Sequence, residues 1–70
     1  MIMEKKDIKL SKMQIIYLKN ICNKGWGGFS KGNNELIGLE NYGLLKSEDG
    51  PFNDVVYRPT EKGYEYIESI

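Results

Sequence analysis

The chain has 70 residues, with ten basic and ten acidic side chains, one cysteine and no histidine. A chain of this length forms one small domain with a thin core, which argues against a spacious catalytic cleft. The lone Cys22 excludes a disulfide within the chain, and the commonest general base and metal ligand, histidine, is missing. We therefore predict a non-enzymatic protein with no cofactor and no metal.

The charges are unevenly distributed along the chain. Up to Asn34 there are seven basic and two acidic side chains, a net charge of +5, and beyond it three basic and eight acidic, a net charge of −5. Such an asymmetry bears on partners and solubility, although a short chain can segregate charge by chance. The opening "MIMEKKDIKL" has no apolar run long enough for a signal peptide or membrane span, which predicts a cytoplasmic protein without a membrane partner.

Residues 1–10 are predicted to be an N-terminal arm, either polar or a short edge strand, and residues 11–70 a single domain. Ser11 and Gln14 have the spacing of a capping box, which starts a helix from about Lys12 to Asn23 that Gly25 ends. At helical spacing one face of it is apolar and predicted to point inward: Met13, Ile15, Tyr17, Leu18, Ile21 and Cys22. Ile16 falls on the opposite, polar face.

The glycine-rich stretch "GWGGFSKG", residues 25–32, raises the question of a phosphate-binding loop. Such a loop follows a strand and ends in Gly-Lys-Ser/Thr, whereas this stretch follows a helix and lacks that ending. We predict instead a tight bend, with Trp26 and Phe29 folded beneath it as part of the core. The alternative is an exposed Trp26 that anchors a binding partner.

A second helix is predicted to be capped by Asn33 or Asn34, to turn Leu36 and Leu39 inward, and to end at Gly43. "LLKSE" and "VVYR" then predict two strands around the turn "DGPFND".

The last predicted helix is capped by Thr60, with Ile67 and Tyr64 facing inward. Gly63 near its start weakens it by up to about 1 kcal/mol relative to alanine. The predicted fold class is α+β, in the order helix, helix, β-hairpin, helix.

Three segments carry a resemblance to the winged helix-turn-helix family, in a shortened form. "LSKMQIIYLKNI" looks like its first helix, "ELIGLENYGLL" resembles its recognition helix and first wing strand, and "VVYRPTEKGYEYI" is similar to the returning wing strand and closing helix. The likeness covers residues 10–67. It implies a small winged-helix-like binding domain that puts its recognition helix into DNA, commonly as a transcriptional regulator. Small stand-alone members also resemble phage or mobile-element products, some of which inhibit host or defence machinery.

A protein partner is the favoured prediction, because the recognition-like helix has acidic and apolar residues and no basic ones. The predicted protein-binding residues are Ile37, Asn41, Tyr42 and Ile16, although Ile37 or Tyr42 packing against the wing or the arm is an alternative. DNA is the second candidate partner, and a homodimer is left open. The nucleic-acid-binding residues would then be Lys12, Lys19, Lys24, Lys31, Asn33, Asn34 and Arg58, the lysines otherwise serving solubility.

Overall fold

Helices and strands alternate along most of the chain in the computed structural model, which describes residues 8–70. The elements are α1 (Lys12–Lys24), β1 (Gly27–Ser30), α2 (Asn34–Asn41), β2 (Leu45–Asp49), β3 (Asp54–Pro59) and α3 (Glu61–Ser69), with a 3-10 turn at Pro51–Asn53 between β2 and β3. The predicted α+β class is confirmed. Of the predicted arm, residues 8–10 have no regular structure and residues 1–7 lie outside the described part.

The first helix begins and ends where its capping residues predict. The N–H of Gln14 donates to Oγ of Ser11 over 3.1 Å, and the N–H of Ser11 donates to Oε1 of Gln14 over 3.0 Å, so the capping box is confirmed. Gly25 ends the helix in the left-handed conformation, at φ 90°.

The second helix is capped by Asn33 rather than Asn34, because Oδ1 of Asn33 accepts from the N–H groups of Glu35 and Leu36. It ends in a Schellman motif, in which Gly43 has φ 82° and the N–H of Leu44 donates to the carbonyl oxygen of Leu39. In the third helix, Oγ1 of Thr60 accepts from the N–H of Gly63 over 3.0 Å, which confirms the predicted cap.

The sheet is antiparallel and has the strand order β1-β3-β2. The β2–β3 hairpin confirms the predicted pair of strands. The predicted glycine-rich bend is wrong, because four of its residues form β1, in which Gly28 pairs with Val56 and Phe29 with Val55. Glycine is a poor strand former, so only pairing with the distant β3 makes these residues extended.

The core lies between the helices and one face of the sheet. Its buried side chains are Leu18, Ile21, Leu36, Leu39, Leu44, Leu45 and Tyr57. Phe29 packs against this core, with its ring edge-on to Tyr17 at a centroid distance of 5.5 Å. The predicted packing of Phe29 against the core is therefore confirmed.

Three residues predicted to be inward are exposed. Trp26 is 49% exposed because side chains alternate along an extended chain, and Phe29 on the inner face leaves residues 26 and 28 on the outer one. Tyr64 follows the buried Gly63 and therefore points about 100° away from the core, where Tyr66 and Ile67 pack instead. Met13, in the first turn of α1, lies at the margin of the inner face that Leu18 and Ile21 define.

Across residues 8–70, no helix is both long enough and apolar enough to cross a membrane.

Candidate binding surface

The outward side of α2 presents Ile37 and Asn41, one helical turn apart and opposite the buried Leu36 and Leu39. Ile37 is 38% exposed, and Tyr42, at the C-cap, is 39% exposed. The predicted exposure of Ile37 and Tyr42 is therefore confirmed. We call Ile37, Asn41 and Tyr42 the α2 ridge.

Carboxylates lie on both sides of the α2 ridge and are fixed by hydrogen bonds. Oε1 of Glu35 accepts from the hydroxyl of Ser11 over 3.0 Å, on the side of α1. Oε2 of Glu40 accepts from the hydroxyl of Ser47 over 2.8 Å, on the side of β2. Since α2 itself has no lysine or arginine, all charged side chains around Ile37 on this helix are acidic.

Helix α2, which carries the α2 ridge, is in close contact with α1. Nε2 of Gln14 donates to the carbonyl oxygen of Glu35 over 3.2 Å, and a Cβ on Gly38 would lie only 2.6 Å from that same nitrogen. The absence of a side chain at residue 38 thus lets Gln14 cross α2. Gln14, which completes the capping box of α1, therefore also holds α2 in place through a hydrogen bond.

Ile16 lies on a different surface from the α2 ridge. It is 49% exposed on the outward side of α1, where helical spacing places it beside Lys12, Lys19 and Asn20. All three of these neighbours are exposed, and α1 contains no acidic residue. The four predicted protein-binding residues thus divide between an acidic helix and a basic one.

Two of the predicted nucleic-acid-binding side chains already have partners within the fold. Asn33 uses Oδ1 for its cap and donates from Nδ2 to the hydroxyl of Tyr17 over 3.4 Å. Nε of Arg58 lies 2.7 Å from Oε2 of Glu48, across the hairpin. Asn34 is exposed in the first turn of α2 and Lys31 in the turn after β1. Lys24 stands over the ring of Trp26, with Nζ 5.9 Å from its centroid.

Cys22 is half-buried, and its burial raises the pKa of its thiol. The reactive thiolate is therefore scarcer at neutral pH than for an exposed cysteine. Within the described residues, no three His, Cys, Asp or Glu side chains are grouped so that they could hold a metal ion.

The sequence interpretation missed Phe52, at the tip of the β2–β3 hairpin. It is 93% exposed, and both it (φ 54°) and Asn53 (φ 67°) are in the left-handed region, which non-glycine residues rarely adopt. The turn letters "DGPFND" indicated a loop tip but not which side chain it would display.

Neither the family models, nor the curated proteins, nor the solved structures with which the chain was compared gave a match. Fold and surface together describe a small α+β domain in which an acidic helix and a basic helix each display an exposed isoleucine.

Proposed function

We propose that the protein is a small, non-enzymatic binding module that docks on another protein, or on a protein–nucleic-acid complex, through the α2 ridge. The observation that carries this proposal is the exposed Ile37 on a helix flanked by Glu35 and Glu40. A central apolar anchor with a polar rim is typical of protein interfaces. Phosphate groups would be repelled by the same helix.

The finer fold assignment, a shortened winged helix, belongs to this proposal. Support comes from the order in which α2 is followed by the β2–β3 hairpin and then by α3, as the resemblance implies. A module of this kind acts by occupying a surface, as a regulator or as an inhibitor of the phage or mobile-element type, with anti-defence activity one form of it.

DNA binding is the second candidate, and one observation favours it. Lys12 and Lys19 are exposed on the outward side of α1, with Asn23 one turn further on. A row of this kind can neutralise phosphates. A DNA complex would therefore use α1 and would leave the α2 ridge free.

Capture from a host lysate by the immobilised protein, with and without nuclease treatment, tests the proposal. Ile37→Arg should abolish capture of a nuclease-resistant partner while the melting temperature stays nearly unchanged, because the aliphatic part of arginine can keep the packing contacts of a partly exposed isoleucine with its charge in solvent. Ile16→Arg is the matched control, since it makes the same change at an exposed isoleucine on α1. Its capture should equal that of the unmodified protein.

Three results would count against the α2 ridge. Capture that survives Ile37→Arg combined with Tyr42→Arg would place the interface elsewhere. A large stability loss would show that these side chains belong to the core. Binding to duplex DNA that weakens when Lys12 and Lys19 are neutralised, with a flatter salt dependence, would establish the second candidate instead.

A further inference from the structure

The outer edge of β1 has no neighbouring strand among residues 8–70, since the sheet order is β1-β3-β2. The opposite edge strand, β2, carries Lys46, Glu48 and Asp49, and charges of this kind prevent further strands from adding to a sheet edge. In contrast, β1 has the sequence Gly-Gly-Phe-Ser and no charge at all. Within residues 8–70, the main-chain donors and acceptors on that side of β1 therefore have no strand partner.

Trp26 stands at the start of this edge. A Cβ on Gly28 would lie 3.7 Å from a carbon of the indole ring, so the ring flanks a stretch of strand that has no side chain. Lys24, on the last turn of α1, holds its ammonium group 5.9 Å from the ring centroid. The ring is nevertheless 49% exposed and so has area left for a contact.

A cleft of about 690 Å³ runs between the end of α1 and β1. Its polar lining comprises Asn20, Asn23 and Lys24 from α1 and one carboxylate, Asp54, which pairs with Ser30 at the far end of β1. The strand therefore has a free main chain, an aromatic platform and amide groups along one side.

Charge selects the kind of strand that can bind. Lys24 precedes β1 and Lys31 follows it, and both are exposed. If β1 of a second copy paired antiparallel with this one, the Lys24 end of each copy would approach the Lys31 end of the other, and like charges brought together at an interface are unfavourable. An acidic strand would instead meet a lysine at either end, and the one carboxylate that lines the cleft, Asp54, is at the Ser30 end, where Lys31 follows.

We propose that the free edge of β1 binds an extended acidic segment of a partner protein by β-strand addition. Main-chain hydrogen bonds to Gly27–Ser30 supply the affinity, as in other complexes in which a peptide extends a sheet. An apolar side chain of the segment rests on Trp26, and its carboxylates contact Lys24 and Lys31. This surface is separate from the α2 ridge, so the two proposals stand or fall independently.

A synthetic peptide of alternating glutamate and valine is the probe. Titrated into the isotope-labelled protein, it should shift the amide resonances of residues 27–30 and change the emission of Trp26. Two further peptides carry N-methyl groups on alternate residues. In one peptide the methylated amides are those that would face β1, and in the other they are those that would face away from it. The peptide whose bonding amides are methylated should bind about tenfold more weakly or worse, because it cannot donate to the strand.

Charge variants complete the test. Lys24→Glu with Lys31→Glu should weaken the acidic peptide by about tenfold, whereas Lys46→Glu on the opposite edge strand is the matched control and should leave binding unchanged. Ile37→Arg should also leave it unchanged, which separates this site from the α2 ridge. A peptide with lysine in place of glutamate should not bind.

The proposal is overturned if no shift occurs at residues 27–30, or if both methylated peptides bind as well as the parent. Tighter binding of oligothymidylate than of the acidic peptide would assign the lysines and Trp26 to single-stranded nucleic acid instead. Self-association that buries β1 would equally exclude the acidic strand.

Discussion

Gly63, in the first turn of α3, lies directly against the carbonyl oxygen of Leu44, so that a Cβ at residue 63 would overlap this oxygen. The same carbonyl accepts from the N–H of Thr60 over 3.1 Å. The last helix is therefore docked by its backbone onto the segment that joins α2 to β2. A glycine that is unfavourable for an isolated helix is required here by packing.

Gly63→Ala should consequently destabilise the protein by about 1–3 kcal/mol, even though alanine favours the helix, because backbone must move to make room. Urea unfolding measures this loss. Gly38→Ala is the matched control, because the new Cβ displaces only the end of the flexible Gln14 side chain. The loss of the hydrogen bond from Gln14 to Glu35 is offset by the higher helix propensity of alanine, so this substitution should be close to neutral. Equal effects of the two substitutions would contradict the packing argument.

Trp26→Ala should reduce the free energy of unfolding by about 1–2 kcal/mol, since only about half of this side chain is buried. Leu18→Ala, at a fully buried position, should cost about 2–5 kcal/mol. Iodide quenching of the single tryptophan provides a second measurement. A strongly shielded indole, or an equal loss from both substitutions, would place Trp26 in the core.

Asn33→Ala should cost about 1 kcal/mol, because it removes the cap of α2, whereas Asn34→Ala should be nearly neutral. Thermal unfolding of the two variants compares adjacent residues of the same type. If Asn33→Ala were as stable as the unmodified protein, α2 would not depend on this cap. The side chain of Asn33 would then be available for the base contacts predicted for DNA binding.

The pKa of the Tyr57 phenol is raised, first by its burial and second by the negative charge of Glu40. The folded state thus favours the neutral phenol, and stability from this source is complete below the unfolded pKa of about 10 and is lost as pH rises through the folded value. The free energy of unfolding should fall more steeply above about pH 10 for the unmodified protein than for Tyr57→Phe. Parallel pH profiles would contradict this assignment.

Local signals predicted the helix ends, because a cap depends on residues only two or three positions apart, as Ser11, Asn33 and Thr60 show. The exposure of Ile37 also followed from helical spacing. In contrast, β1 could not be read from "GWGGFS", since its pairing with β3 is a distant interaction that leaves no local pattern. A bend has no strand alternation, so the predicted bend gives no indication that Trp26 points outward.

The central position of β3 has a consequence for the order of assembly. The β2–β3 hairpin joins two strands that are adjacent in sequence. In contrast, pairing Gly27 of β1 with Tyr57 of β3 closes a long loop, and the entropy cost of closing it comes before the contacts that stabilise the pair. During synthesis the glycine-rich strand therefore leaves the ribosome well before the strand that will hold it. We expect hydrogen exchange to show β1 opening at a lower free energy than β2 and β3, and uniform protection of all three strands would contradict this order. The last strand to be placed would then be the one whose edge we propose as the binding site of a partner strand.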